Sequence, residues 1–183
     1  MTVVSDVLVG IKRAAMSHED VADAEAFEIL NHGTVGLAIV PKSFANAVEI
    51  RNHVLATSNE NEVLTTVALV DNLPRDTQGY AKPEEVAAIV GRLPETYLAV
   101  YEPASTDTES SIISMLVAVT RTPIIGMRDD FVDIGVDSAA AVRLSSLLEE
   151  KFGIELQLGE VFRAATANGL AFLIEDHRRA RPC

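Results

Sequence analysis

A chain of 183 residues can hold one ordinary domain or two small ones, and its 48% hydrophobic content is enough to build a core. Charged residues at 23% lie near the globular average, which argues against wholesale disorder. The formal net charge of −12, from 27 acidic and 15 basic groups, argues against nucleic acid and anionic membrane surfaces as partners and suits partners with basic patches.

The single cysteine, Cys183, cannot close an internal disulfide and reads as a free thiol without a role. Met1 to Gly10 carry no basic n-region and no small-residue cleavage site. No apolar run approaches the length of about 20 residues that spans a bilayer. The expectation is a soluble, cytoplasmic protein.

The first unit covers residues 1–92 and is expected to be α+β, a small sheet with helices. Val7, Leu8, Ile11, Ala14 and Ala15 recur at helical spacing and predict an opening helix that ends near His18. Ala24 to Leu30 and Thr34 to Val40 read as strands around the turn signal Asn31-His32-Gly33, with Pro41 as the stop. Ala45 to Leu55 is helical. Val63 to Val70 is rich in β-branched residues and predicts a buried strand. Pro83 to Val90 reads as a short helix with proline in its first turn.

Residues 93–107 form a joint, broken by Pro94, Pro103, Ser105 and Thr106. Tyr97, Leu98, Val100 and Tyr101 make it too apolar for a free linker, so it is expected to lie against one of the units. The second unit, 108–183 with a short tail, shows no convincing strand. Helices are predicted near 108–121, 138–152, 159–164 and 170–178, an all-α four-helix bundle.

The informative stretch is Asp129-Asp130-Phe131-Val132-Asp133-Ile134-Gly135-Val136-Asp137-Ser138, an apolar and acidic loop that delivers a serine to the first turn of a helix. At about 100° per residue, Ala141, Leu144, Leu148 and Phe152 share one stripe, and Ser138, Val142 and Glu149 fall on its flank. Free N–H groups and the positive end of the helix dipole favour a phosphate attached there. Gly135 allows a turn that a bulkier residue hinders. For an isolated Asp-Ser pair the default is a capping serine with no further function.

Residues 108–176 as a whole resemble the phosphopantetheine carrier domains of nonribosomal peptide and polyketide synthases. The matching words are Asp130 to Ser138, Ala141-Val142-Arg143-Leu144, Glu150 to Leu156, and Val161-Phe162-Arg163-Ala164-Ala165-Thr166 through Leu170. The resemblance implies that Ser138 is the attachment site for 4'-phosphopantetheine, supplied by coenzyme A, with Asp137 and Gly135 beside it. It further implies that Val142 and Phe162 contact partner enzymes and that Asp133 and Asp137 help recruit a basic phosphopantetheinyl transferase. Val142 can equally be a stray surface residue, Phe162 plain core, and the aspartates simple charge compensation. Val136 stands where peptide-type carriers often have a second glycine, which leaves aminoacyl against acyl cargo open.

Residues 7–90 more loosely resemble the small C-terminal subdomain of adenylate-forming enzymes. The words are Ile11 to Ala15, His18 to Ala22, Gly36 to Pro41 and Val67 to Arg75. In that family a glycine followed by a lysine comes next, and the lysine contacts carboxylate and nucleotide. Here Gly79 is followed by Tyr80, and the nearest lysine is Lys82. A tyrosine cannot supply that charge, and no Gly/Ser/Thr-rich phosphate loop is present.

His18, His32, His53 and His177 show no metal-ligand spacing, and Arg178, Arg179 and Arg181 read as a basic helix end. The reading is a carrier that does no chemistry itself, served by a transferase, a separate adenylating enzyme, and downstream condensing, tailoring or thioesterase enzymes. The alternatives are a trans-acting half of a split adenylating enzyme that uses Lys82, or a docking module that is never loaded.

Overall fold

The computed structural model describes residues 2–29, 34–58 and 64–180. The expected turn Asn31-His32-Gly33, together with Val63, Arg181 and Cys183, lies outside the described residues. The chain divides into two compact units, Met1–Val100 and Tyr101–Cys183.

In the first unit the order is α1 (Thr2–Met16), β1 (Val21–Ile29), β2 (Thr34–Pro41), α2 (Ala47–Thr57), β3 (Leu64–Leu69), α3 (Pro83–Val90), a 3-10 turn at Glu95–Tyr97, and β4 (Leu98–Val100). The sheet runs β1-β2-β3-β4, with β2 and β3 parallel across α2 and the outer pairs antiparallel. Val35 to Ile39 of β2 are all buried, the pattern of a strand covered on both faces. On one face Phe27, Ala38, Ala68, Val70 and Leu73 meet Val86 and Val90 of α3. Alternation sends the equally buried Ala26 to the other face, which α1 and α2 cover. Asn46 starts α2, its Oδ1 accepting from Val48 N at 2.9 Å and Glu49 N at 3.2 Å.

One expectation needs correction. Residues 98–100, read as part of an irregular joint, are strand: Leu98, Ala99 and Val100 pair with Ala68, Val67 and Thr66. A three-residue strand is too short to show a period, and the prolines around it advertise only loop.

In the second unit α4 (Asp107–Thr120), α5 (Ser138–Phe152), α6 (Leu158–Ala164) and α7 (Ala167–Ala180) enclose Ile112, Leu116, Phe131, Ile134, Leu144, Leu148, Ile154, Val161, Leu170 and Ile174. Thr106 and Glu109 form a reciprocal cap at α4. Hydrogen bonds from Ser105 and Thr106 hold the Glu109 carboxyl below its ordinary value. Gly153 ends α5 with φ +65°. α7 begins three residues before Leu170, and Gly169 lies inside its first turn against the Ala164 backbone. Thr166 Oγ1 accepts from Gly169 N there at 3.1 Å. Away from the helices this unit has one isolated bridge among the described residues, Asp130 with Thr166.

Phe27 and Gly36 are register partners in β1 and β2. A Cβ at Gly36 would stand 2.3 Å from the Phe27 ring, which is 3% exposed and has no free space to enter. Gly36→Ala should therefore destabilise the first unit by about 1–3 kcal/mol, read as faster amide exchange throughout β1 and β2.

Candidate functional site

The approach to α5 is built from alternating buried and exposed residues. Phe131, Ile134 and Val136 are buried pegs, while Val132, Asp133, Gly135, Asp137 and Ser138 face solvent. Gly135 has φ +80° with open space where a Cβ would be, so its positive φ is what selects glycine. Around it Gly135 N donates to Val132 O at 3.1 Å, Val136 N to Phe131 O at 2.8 Å and Asp137 N to Gly135 O at 3.0 Å. Phe131 N donates to Ala165 O at 2.8 Å, which ties the loop to the segment before α7.

Asp137, not Ser138, is the cap. Its Oδ1 accepts from Ala140 N at 2.7 Å, and its backbone is extended. The default reading of Ser138 as a capping serine is thereby removed. Ser138 is the first residue of α5, and it is exposed. The first intrahelical bond is Ala141 N to Asp137 O at 2.9 Å. The N–H groups of Ser138 and Ala139 precede it, at the positive end of the helix.

Val142 and Phe162 are both exposed, at 51% and 42%, so Phe162 is not plain core. Sequence reasoning passed over Val132, 80% exposed, and Leu158, 41% exposed. Val132 sits among mixed apolar and acidic residues of a loop, where hydrophobicity alone does not tell inside from outside. The available signal was the alternation with buried Phe131 and Ile134. Partial desolvation, then the charges of Asp130 and Asp129, push the Asp133 carboxyl above its ordinary value.

Residues 110–174 match the family model described as the phosphopantetheine attachment site. The second unit is a phosphopantetheine carrier domain. The carrier domain takes 4'-phosphopantetheine as its cofactor. The chain is 33% identical over 107 residues to a dimodular nonribosomal peptide synthase of Bacillus subtilis strain 168, a match that covers 58% of the chain and 4% of the synthase. It is 28% identical over 167 residues to a plipastatin synthase of the same strain, covering 88% of the chain and 6% of that synthase. A solved active-site mutant peptidyl carrier protein is similar at 23% identity and TM-score 0.43, over 46% of the chain and 93% of that protein. The chain thus spans about one twentieth of the length of these curated synthases. The plipastatin match is longer than either unit, so it extends over parts of both.

In the first unit the segment after β3 is a closed loop. Arg75 bridges to Ala81, and Asp76 N donates to Tyr80 O at 2.8 Å. Asp76 Oδ1 accepts from Gln78 N at 2.8 Å and Tyr80 N at 2.9 Å. The Arg75 guanidinium donates to Gly79 O at 2.8 Å and pairs with Asp23. Tyr80 is exposed. Lys82 Nζ donates to Glu85 Oε1 at 2.7 Å, and that carboxylate raises the lysine above its ordinary value.

His18 and His53, 35 positions apart in sequence, meet edge to face with ring centroids 4.9 Å apart. His53 Nε2 lies 2.9 Å from Ser17 Oγ. Among the described residues no group of three or more metal-ligating side chains is assembled, and no helix is long and apolar enough to cross a membrane.

The shift at Asp133 has a signed consequence. The folded state binds this proton more tightly than the unfolded chain, so stability falls as pH rises from the ordinary carboxylate value through the raised one. At neutral pH the charge costs stability. Asp133→Asn should raise Tm at pH 7 and shrink its difference from Tm at pH 4. A lower Tm at pH 7 would instead mean that the carboxylate makes a favourable bond.

Proposed function

We propose that the chain is a carrier loaded at Ser138 and that it holds an aminoacyl or acyl group as a thioester in nonribosomal peptide assembly. The observation that carries this is the division of labour at α5: Asp137 caps the helix, which leaves the Ser138 hydroxyl exposed at its electropositive start. A phosphate on that oxygen fits the uncommitted N–H groups of Ser138 and Ala139, and the open space at Gly135 leaves room beside it. The Asp137 carboxylate is turned onto Ala140 N. When attached, the group supplies a thiol on a long flexible arm.

Loading is a phosphoryl transfer. Ser138 Oγ attacks the phosphorus of coenzyme A next to the pantetheine, and the new P–O bond replaces the anhydride bond. Adenosine 3',5'-bisphosphate leaves, and the hydroxyl proton passes to the transferase. Val142 and Phe162, with Asp133 and Asp137, form the surface that a basic transferase and later a condensing, tailoring or thioesterase enzyme would read. A separate adenylating enzyme supplies the cargo, and tethering raises its local concentration at each partner. A coenzyme A-dependent step suits a cytoplasmic location.

Incubation of the full chain with coenzyme A and a broad-specificity phosphopantetheinyl transferase should add one phosphopantetheine mass. Ser138→Ala should abolish the addition. An unmodified wild-type mass under conditions that load other carriers would remove the proposal.

The chain does no chemistry of its own on this reading. Lys82 is committed to Glu85 and lies two residues beyond the position that the adenylating family needs, where Tyr80 stands. Catalytic geometry tolerates little displacement. Pyrophosphate exchange by the chain, alone or mixed with an adenylating partner, should be unchanged by Lys82→Ala. A loss of exchange in that variant would revive the split-enzyme alternative.

A further inference from the structure

The turn that presents Ser138 is held from behind by the end of α4. Helix α4 stops at Arg121, whose φ is +64° and whose N–H donates to Val117 O at 2.9 Å. The left-handed residue turns the chain, and the next residue, Thr122, is half-buried. Thr122 Oγ1 donates to Ile134 O at 3.0 Å, across twelve residues of loop. Ile134 is the buried peg directly before Gly135, whose positive φ aims the backbone at Asp137 and Ser138. On the far side of Ser138, Arg143 Nη2 reaches back to Val119 O at 3.1 Å, in the last turn of α4. Ser138 therefore lies between two side-chain-to-backbone bonds that both end on Val119–Thr122.

We infer that Thr122 is a positioning residue for loading, and that together with Arg143 it forms a clasp fixing where the Ser138 oxygen stands. The inference rests on Ser138 being the loading site. Thr122 is half-buried and is not part of the exposed apolar surface of Val132, Val142, Leu158 and Phe162. It acts through the Ile134 carbonyl. If that bond is lost, the Gly135 turn gains freedom while the pegs Phe131, Ile134 and Val136 stay buried. The exposed apolar contacts are then undisturbed and the nucleophile is less well placed, so the effect falls on turnover more than on encounter.

The test compares the full wild-type chain with Thr122→Val, which keeps the shape and removes the donor, and Thr122→Ser, which restores the hydroxyl. Coenzyme A and a broad-specificity phosphopantetheinyl transferase are the probe. Thr122→Val should lower kcat for loading by about three- to tenfold with KM unchanged, the size expected for one hydrogen bond. Thr122→Ser should stay within about twofold of wild type. Amide exchange at Gly135, Val136 and Asp137 should quicken in the valine variant alone, with Tm for both variants well above the assay temperature. Loading of Thr122→Val at the wild-type kcat, or equal loss in both variants, overturns the clasp. A wild-type chain that is never loaded overturns the reading of Ser138 itself and the clasp with it, whereas loading that Ser138→Ala alone abolishes leaves that reading standing and lets the threonine variants decide.

Discussion

The arrangement of the second unit depends on a single capping bond, from Ala140 N to the Asp137 carboxylate. A helix start leaves backbone donors without partners, and some side chain must answer them. If the serine did so, its oxygen would be occupied. With the aspartate in that role, one residue terminates the loop and the next keeps its hydroxyl exposed. The pegs Phe131, Ile134 and Val136 then make the placement repeatable, since each is buried.

The first unit shows the opposite relation between framework and chemistry. Its closed loop after β3 is held by Asp76 beneath two N–H groups and by Arg75 between Gly79 and Asp23. The residue at the tip is a tyrosine. The forces that fold such a loop are separate from whatever side chain stands at its tip. The apolar sheet, with Phe27 packed over Gly36, needs nothing from position 80.

The helices and long strands were legible because burial writes a period into the sequence: Ala141, Leu144 and Leu148 along α5, and the unbroken apolar run of β2. Ser138 was legible as the first residue of a helix, but not as an uncapped hydroxyl, because Asp and Ser are both good caps and only geometry decides between them. β4 was lost to its brevity. The start of α7 was lost to Gly169, whose apparent weakness as a helix former is offset by the contact it permits. The exposure of Val132 and Leu158 was hidden for a related reason: hydrophobicity alone does not tell a peg from a surface contact. Long-range pairs such as Thr122 with Ile134 and His18 with His53 leave no local trace at all.

Gly169 carries a wider consequence. A methyl group there would stand 2.1 Å from the Ala164 carbonyl, so the seam between α6 and α7 admits hydrogen and nothing larger. Leu158 and Phe162 project from α6 into solvent, away from that constraint. Their side chains can be exchanged for others while the joint that seats the helix stays as it is. The domain thus separates a surface that can drift from a contact that cannot.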